Sequence, residues 1–463
     1  MAAKTAPSRL ADIVGAPNVS NDPAQIRDFA VDGKIPGAAV RPGTPAEVAE
    51  IVKFAAAENL AVVATSARTK LGLGLPPRKY DLAIDMSRLD RVVAFDPGDL
   101  TLGVEPGILL SKLATVLAEH KQFLPLAVPY SNRASAGGTI ASGVDNPLRQ
   151  YYGTARDYLL GVEYVTGEGV AVKSGGRVVK NVTGYDLHKL MIGSLGTLGI
   201  MTRINFRTYP KPEAIRGFVA SFDRAEQAVA LRHRIAQSAL TPLTLEILSP
   251  RVAEIFAGEA AARVESNVPR PQMLSSKHWT LAASYAGNDK VLERYATELR
   301  GMAGRAGAVV DAVLGDDQRP SVWGRLREFI PIALESSPAT TIMKIGVLPM
   351  RMKEMLESAA RIAESNSLPW AAVARGLGII YVALLPNEKN EDTQRRVRQA
   401  SDQILAACGT LEANATIPWC PSEWKGAVKV WGNERADFAQ MAKLKKIFDP
   451  PGILSPGRFI GGL

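Results

Sequence analysis

Between Ala38 and Thr65 the apolar positions change period twice. The runs A-A-V at 38–40 and L-A-V-V-A-T at 60–65 are short and continuous, as buried strands are, while Val48, Ile51, Val52 and Ala55 between them recur at helical spacing. Thr44 precedes Pro45, and Glu47 follows three positions after the threonine, so a capping box with proline at the first helical position starts a helix there. Together the three segments predict a β-α-β unit. Apolar segments at 82–86, 91–95 and 100–104, each bounded by charged or turn residues, predict further strands. Leu109, Leu113, Val116 and Leu117 share one side of a helix predicted over 108–119, before Pro125 and Pro129 turn the chain.

Two prolines at Tyr209-Pro-Lys-Pro212 break whatever strand precedes them and mark a boundary. Beyond it helical and strand patterns alternate: a helix near 225–236, strands at 244–248, 278–285, 341–349 and 378–386, and a helix M-K-E-M-L-E-S-A-A-R-I-A between the last two. This pattern predicts two β-α-β halves of a separate α+β domain. The tail F-A-Q-M-A-K-L-K-K-I-F-D-P-P-G-I-L-S-P-G-R-F is a short amphipathic helix ending in proline and glycine, which must pack back on another domain.

Glycines change this picture in the first half. They recur in A-T-S-A-R-T-K-L-G-L-G at 64–74, S-A-G-G-T-I-A-S-G at 135–143 and G-S-L-G-T-L-G at 193–199, where backbone must approach something closely. Turns of this kind gather backbone N–H groups into concave anion sites, for which a pyrophosphate is the common guest. Taken singly, each run is more often a tight turn than a phosphate cradle. Neither early run matches the G-x-G-x-x-G of a nicotinamide-binding unit.

At 463 residues the chain is long enough for two or more domains, and 46% hydrophobic with 22% charged residues describes a folded globular protein. Cys408 and Cys420 are too few for a disulfide framework or a cluster that takes about four thiolates, so a cluster, if one takes part, sits on another protein. The first residues lack the apolar core of a signal peptide and no stretch approaches the roughly 18 apolar residues of a membrane span, which gives a cytoplasmic expectation. A net charge of +9 permits an acidic partner or an anionic membrane surface. The basic residues are scattered and no nucleic-acid motif accompanies them, so no nucleic acid is expected.

Four motifs in order carry a resemblance: R-P-G-T-P-A-E-V at 41–48, L-P-L-A-V-P-Y-S-N-R-A-S-A-G-G at 124–138, the stretch 151–202, and D-P-P-G-I-L-S-P-G-R-F at 449–459. The chain resembles the FAD-binding oxidases and dehydrogenases of the vanillyl-alcohol oxidase (PCMH-type) superfamily, and is similar to the smaller flavin subunits of bacterial glycolate oxidases. The resemblance implies an α+β fold: an N-terminal extension over 1–36, a PCMH-type FAD-binding domain of two α+β subdomains over 37–212, an α+β cap over 213–417, and a C-terminal segment over 418–463 returning to the FAD domain. It implies FAD as cofactor, with Ser66, Ala67, Arg68, Thr69, Lys70 and Leu71 around its pyrophosphate. Pro129, Ser135, Gly137, Gly138, Ala141 and Gly143 would run beside the ribityl chain and ring, with Ile200 approaching by its backbone and Arg458 near the cofactor edge. Relatives place glycines where this chain has Ser66 and Ala67; if those positions need a positive φ, each costs on the order of 1 kcal/mol.

None of His120, His188, His233 and His278 falls where covalent attachment is expected, so the FAD is noncovalent, and His188 reads as a helix-surface residue. No His/Glu cluster suggests a metal. The activity implied is oxidation of a small 2-hydroxy acid, which needs a cation for the carboxylate, a base for the hydroxyl proton, and the flavin as hydride acceptor. Lys344, Arg375 and Glu246 are the candidates, each a charge among apolar strand residues that otherwise faces solvent. Implied partners are a larger flavin subunit and an iron–sulfur subunit, with peripheral association at the inner face of the membrane through them. A flavin-poor structural subunit is the alternative, favoured by Ser66 and Ala67. Trp419, Trp424 and Trp431 read as core of the returning segment, with a partner interface as the other reading.

Overall fold

The computed structural model describes residues 6–177 and 184–463. Residues 1–5 of the expected extension and 178–183, within the 151–202 motif stretch, lie outside the described residues. Two compact units emerge. The first combines the chain up to Val144 with Thr154–Lys211 and Glu434–Leu463; the second combines Asp145–Gly153 with Pro212–Asn433.

In the first unit the β-α-β reading holds in detail. Strands Ala38–Val40 and Val62–Thr65 each pair in parallel with Leu82–Asp85, and the helix Pro45–Ala57 connects the first two. Thr44 Oγ1 accepts from the Glu47 N–H at 3.2 Å, so the predicted N-cap forms, while the Glu47 carboxylate accepts from the Gly43 N–H at 2.7 Å, one residue before the Thr44 N–H that a capping box would use. Val48, Ile51, Val52, Phe54 and Ala55 are buried against that sheet. A second, five-stranded antiparallel sheet runs Val92–Asp96, Thr101–Val104, Ile200–Arg207, Leu159–Val165, Ala171–Gly175. The helix expected over 108–119 spans Leu110–Ala118 and buries Leu110, Leu113 and Leu117; Leu109 is its N-cap and is 38% exposed, so its place on the buried side is corrected.

The second unit is one eight-stranded antiparallel sheet in the order Val310–Leu314, Ile215–Phe222, Trp279–Ala286, Thr244–Leu248, Trp370–Arg375, Ile379–Leu384, Thr341–Gly346, Asn414–Trp419. In chain order each half reads β-α-β-β-α-β, with helices Ala225–Ala236 and Asp289–Arg305 in the first and Met352–Ser365 and Glu391–Thr410 in the second. The halves join through their second strands, Thr244–Leu248 against Trp370–Arg375. That seam sets the register on which the polar cluster below depends.

Two segments change unit relative to the sequence expectation. Residues 145–153 belong to the second unit although the sequence on both sides belongs to the first. The returning segment starts at Glu434 rather than 418, because Asn414–Trp419 is an edge strand of the second sheet and Trp424, 3% exposed, is core of the same unit. His188 is likewise corrected. It is 3% exposed, with Nδ1 3.2 Å from Ser174 Oγ, and burial holds its pKa below the ordinary histidine value.

Candidate functional site

The strand Val62–Thr65 ends where the first glycine-containing loop begins, and that loop forms one wall of a cleft of about 750 Å3. Ser66, Ala67, Arg68, Thr69, Lys70 and Leu71 line it, together with Ser135, Gly137, Gly138, Ala141, Ile200 and Arg458. Twelve of the fourteen residues singled out for the cofactor are thus brought to one cavity, all within the first unit. Pro129 and Gly143 are not among its lining. Pro129 is buried, and Gly143 caps the helix Ala136–Ser142 at φ 58°, where a Cβ would stand 2.9 Å from Gly193 Cα.

Glycines of the second motif divide by what they face. A Cβ on Gly137 would lie 2.6 Å from Pro106 Cβ, so its smallness lets helix and loop pack. Gly138 is exposed to the cleft and a Cβ there would meet only Ser135 Oγ, at 3.1 Å. Sequence reasoning missed Thr65, Met86, Pro106, Leu195, Gly196 and Met201 on the wall. The G-S-L-G-T-L-G spacing was the available signal for 195–199.

The cleft is electrostatically one-sided. Arg68, Lys70 and Arg458 line it and, among the described residues, no carboxylate does, while Met86, Pro106, Leu195, Ile200 and Met201 give it apolar surface. Among the described residues none accepts a hydrogen bond from the backbone N–H of Ala67, Arg68 or Thr69, and Thr65 Oγ1 is buried without a partner. Free N–H groups beside cations fit a pyrophosphate, and the apolar strip fits a flat ring. The residues present therefore suit a dinucleotide cofactor.

Ser66 and Ala67 carry no left-handed strain; the residue at positive φ is Arg68, at 56°. Its guanidinium lies 4.8 Å over the Phe29 ring, with Nη1 3.6 Å from Asp85 Oδ2, contacts that hold the turn in place of a glycine. The expected cost at Ser66 and Ala67 is thus corrected, and with it goes the argument those two residues gave for a flavin-poor subunit. Arg458 is 4% exposed and donates through Nη2 to the carbonyls of Leu71 and Leu73, the latter at 2.9 Å. It braces the loop from behind.

A second polar site lies at the seam of the eight-stranded sheet. Register puts Glu246 opposite Arg375 and Lys344 opposite Tyr381; because Tyr381 pairs with Val373, two residues from Arg375, all four side chains share one face. Arg375 Nη1 stands 3.2 Å from Glu246 Oε1 and its Nε 2.8 Å from Asp145 Oδ2, with the guanidinium 5.4 Å from the Tyr381 ring centre. Arg149 Nη1 reaches Asp145 Oδ1 at 3.3 Å. Asp145, Arg149 and Tyr381 were missed: the first two sit in a segment that changes unit, and nothing in sequence spacing announces that.

This cluster is charged, buried and incompletely paired. Glu246 is 0% exposed and burial pushes its carboxyl up to about 7 against the pull of Arg375. Burial alone would lower Arg375, but Glu246 and Asp145 carry it above its ordinary value. Burial lowers Lys344, opposed by Asp145, and among the described residues its ammonium makes no hydrogen bond or ion pair. Glu246 Oε2 and the Tyr381 hydroxyl are buried without partners. Unsatisfied groups of this kind are costly in a core and mark a place where a polar ligand completes them. Of the three candidates Arg375 is held by two carboxylates, leaving Lys344 as the cation open to a ligand, with Arg149, paired to Asp145, beside it.

Among the described residues no group of three or more His, Cys, Asp or Glu could hold a metal, and no helix is long and apolar enough to cross a membrane.

Comparison with known proteins adds three kinds of likeness. A family model described as an FAD binding domain matches residues 36–175, and one described as the C-terminal domain of FAD linked oxidases matches 211–414 and 430–459. The chain is 23% identical over 465 residues to glycolate oxidase subunit GlcD of Bacillus subtilis, covering 99% of this chain and 97% of that one. It is 36% identical over 166 residues to glycolate oxidase subunit GlcE of Escherichia coli, covering 36% of this chain and 47% of that one. Its fold is similar to that of p-cresol methylhydroxylase with substrate bound, at TM-score 0.77 and 17% identity over 98% of this chain and 95% of that one.

Proposed function

Since the chain belongs to the FAD-linked oxidases, we propose that it binds FAD noncovalently in the cleft of the first unit and oxidises a small 2-hydroxy acid of the glycolate or D-lactate type. The observation that carries the reading is the carboxylate-free cleft, whose loop at 66–71 offers Arg68, Lys70 and unpaired N–H groups to a pyrophosphate. Gly138 leaves room beside the ribityl chain, and the apolar strip takes the ring. Its described lining contains neither histidine nor cysteine, which supports noncovalent attachment.

When bound, FAD would supply the acceptor of the hydride, which carries both electrons of the substrate C–H bond. The chain's own residues do the remaining work. Lys344 holds the substrate carboxylate with Arg149 beside it, since the three cations Lys344, Arg149 and Arg375 exceed the two carboxylates Asp145 and Glu246 by one charge. Glu246 takes the hydroxyl proton on its free Oε2, its raised pKa suiting it as a base near neutral pH, and the Tyr381 hydroxyl orients the substrate oxygen. The C–H electron pair leaves as hydride, the O–H proton goes to Glu246, and a 2-oxo acid results.

Cys408 and Cys420 cannot ligate a cluster of about four thiolates, so the electrons pass to an iron–sulfur subunit, beside a larger flavin subunit. Relatives named as glycolate oxidase subunits support such an assembly, which would also carry any association with the inner face of the membrane.

The test is an absorbance spectrum of the purified chain followed by anaerobic addition of glycolate or D-lactate. Flavin bands near one per chain that bleach with one of these acids are expected; a colourless protein that FAD does not reconstitute sinks the proposal. Gly138→Val should abolish flavin retention while circular dichroism stays that of the wild type. Gly137→Val should instead lower the melting temperature, because its Cβ would press on Pro106.

A further inference from the structure

Lys445 is a buried cation that the proposed chemistry does not use. It lies on the helix Phe438–Phe448, is 9% exposed, and spends all three N–H donors on the chain: Thr197 O at 2.8 Å, Leu454 O at 2.8 Å and Asp449 Oδ2 at 2.6 Å. The Asp449 carboxylate in turn accepts from the N–H groups of Ile453, at 3.2 Å, and Leu454, at 2.9 Å. A surface lysine would lose little by fraying; this one is fixed at every donor.

What the three acceptors belong to gives the arrangement its meaning. Thr197 sits inside the strip Gly196–Ile200, which forms one wall of the cleft. Ile200 at the strip's end pairs with Val165 in the five-stranded sheet, Thr197 otherwise bonds only Ser194 among the described residues, and the turn before it is held by Gly193 N–H to Ile140 O and Leu195 N–H to Ala141 O, both at 2.9 Å, with Leu195 at φ 52°. Leu454 does not line the cleft but is tied to the strand that leads into its loop at 66–71. It bridges Val62 in parallel, and Val62 exchanges bonds of 2.8 Å with Ile453 and Ser455, so Leu454 is continuous with the strand that delivers the loop at 66–71. One ammonium therefore links the segment carrying Gly196 and Gly199 to the strand that leads into the loop at 66–71.

We infer that Lys445 is a positioning residue for the cofactor: by fixing the Thr197 carbonyl against Leu454 it sets the width of the cleft, so the C-terminal segment governs how tightly FAD is held. This rests on the reading of the cleft as the FAD site. A carbonyl held by a neutral donor would do the same less firmly, since charge-assisted bonds are roughly twice as strong.

Lys445→Met alone would strand the Asp449 carboxylate, so the test uses Lys445→Met with Asp449→Asn, which removes both charges and leaves the burial neutral. In the full chain, FAD dissociation followed by flavin fluorescence should weaken at least ten-fold. Hydrogen exchange of the apoprotein should speed at the amides of Gly193 and Leu195, with the five-stranded sheet unchanged. Unaltered FAD affinity in the double variant overturns the inference, and so does protection lost throughout the unit. If the wild-type chain takes up no FAD, the flavin reading has failed instead; the exchange measurement still decides the clamp, which falls if Gly193 and Leu195 stay protected.

Discussion

Arg375→Met is expected to destabilise the second unit by about 3–5 kcal/mol, the range for removing one partner of a buried ion pair. Glu246 is 0% and Asp145 7% exposed, and Arg375 contacts both, as Glu246's one ion-pair partner among the described residues and as a partner that Asp145 shares with Arg149. Methionine fills the volume of the side chain's stem and returns neither carboxylate to water. For a unit of this size the loss corresponds to a fall in melting temperature of roughly 6–20 °C. Differential scanning calorimetry would resolve it, and a fall under about 2 °C would show that the carboxylates are not held by Arg375. Pairing the change with Glu246→Gln should recover part of the loss, since one of the two stranded charges is then gone.

That prediction depends on contacts no local pattern revealed. Thr44, Pro45 and Glu47 announced a helix start because a helix cap acts within four residues, and the structure has the Thr44 cap bond with Glu47 reaching back to Gly43. The loop at 66–71 was legible for a related reason: its function is carried by consecutive backbone. Glycines were legible only as close approaches. Gly138 opens to the cleft while Gly137 and Gly143 serve packing against Pro106 and Gly193, and spacing does not distinguish a ligand from a neighbouring strand. The Ser66 and Ala67 departure also misled, since the left-handed residue is Arg68, steadied by Phe29 and Asp85.

In the second unit the limit was long-range. Lys344, Arg375 and Glu246 are far apart in sequence, and their convergence follows from the antiparallel seam between Thr244–Leu248 and Trp370–Arg375. Asp145 joins them only because 145–153 packs with the second unit. The boundary at 418 failed for the same reason, because Asn414–Trp419 pairs with Thr341–Gly346 across more than 65 residues as an edge strand of the second sheet.

Glu246→Gln should lower kcat by about 10²–10⁴, the usual contribution of a positioned base, while the isosteric amide keeps the fold. The pH dependence sharpens the test. Ionisation near the ordinary carboxylate value in the unfolded chain and at about 7 in the folded one means the native state keeps a proton that the unfolded state has released between those limits. The stability this group contributes is therefore fully present below the unfolded value and is lost as pH rises through about 7, while the basic form needed for turnover accumulates over the same rise. Wild-type kcat should climb with an apparent pKa near 7 as the melting temperature drifts down, and the glutamine variant should show neither slope. Steady-state rates with reduced flavin monitored from pH 5 to 9 would check the first, and scanning calorimetry over the same range the second. A glutamine variant that retains the wild-type climb in kcat would assign the proton to another group, whereas loss of the climb with the thermal slope intact would separate the base from the buried charge that destabilises the seam.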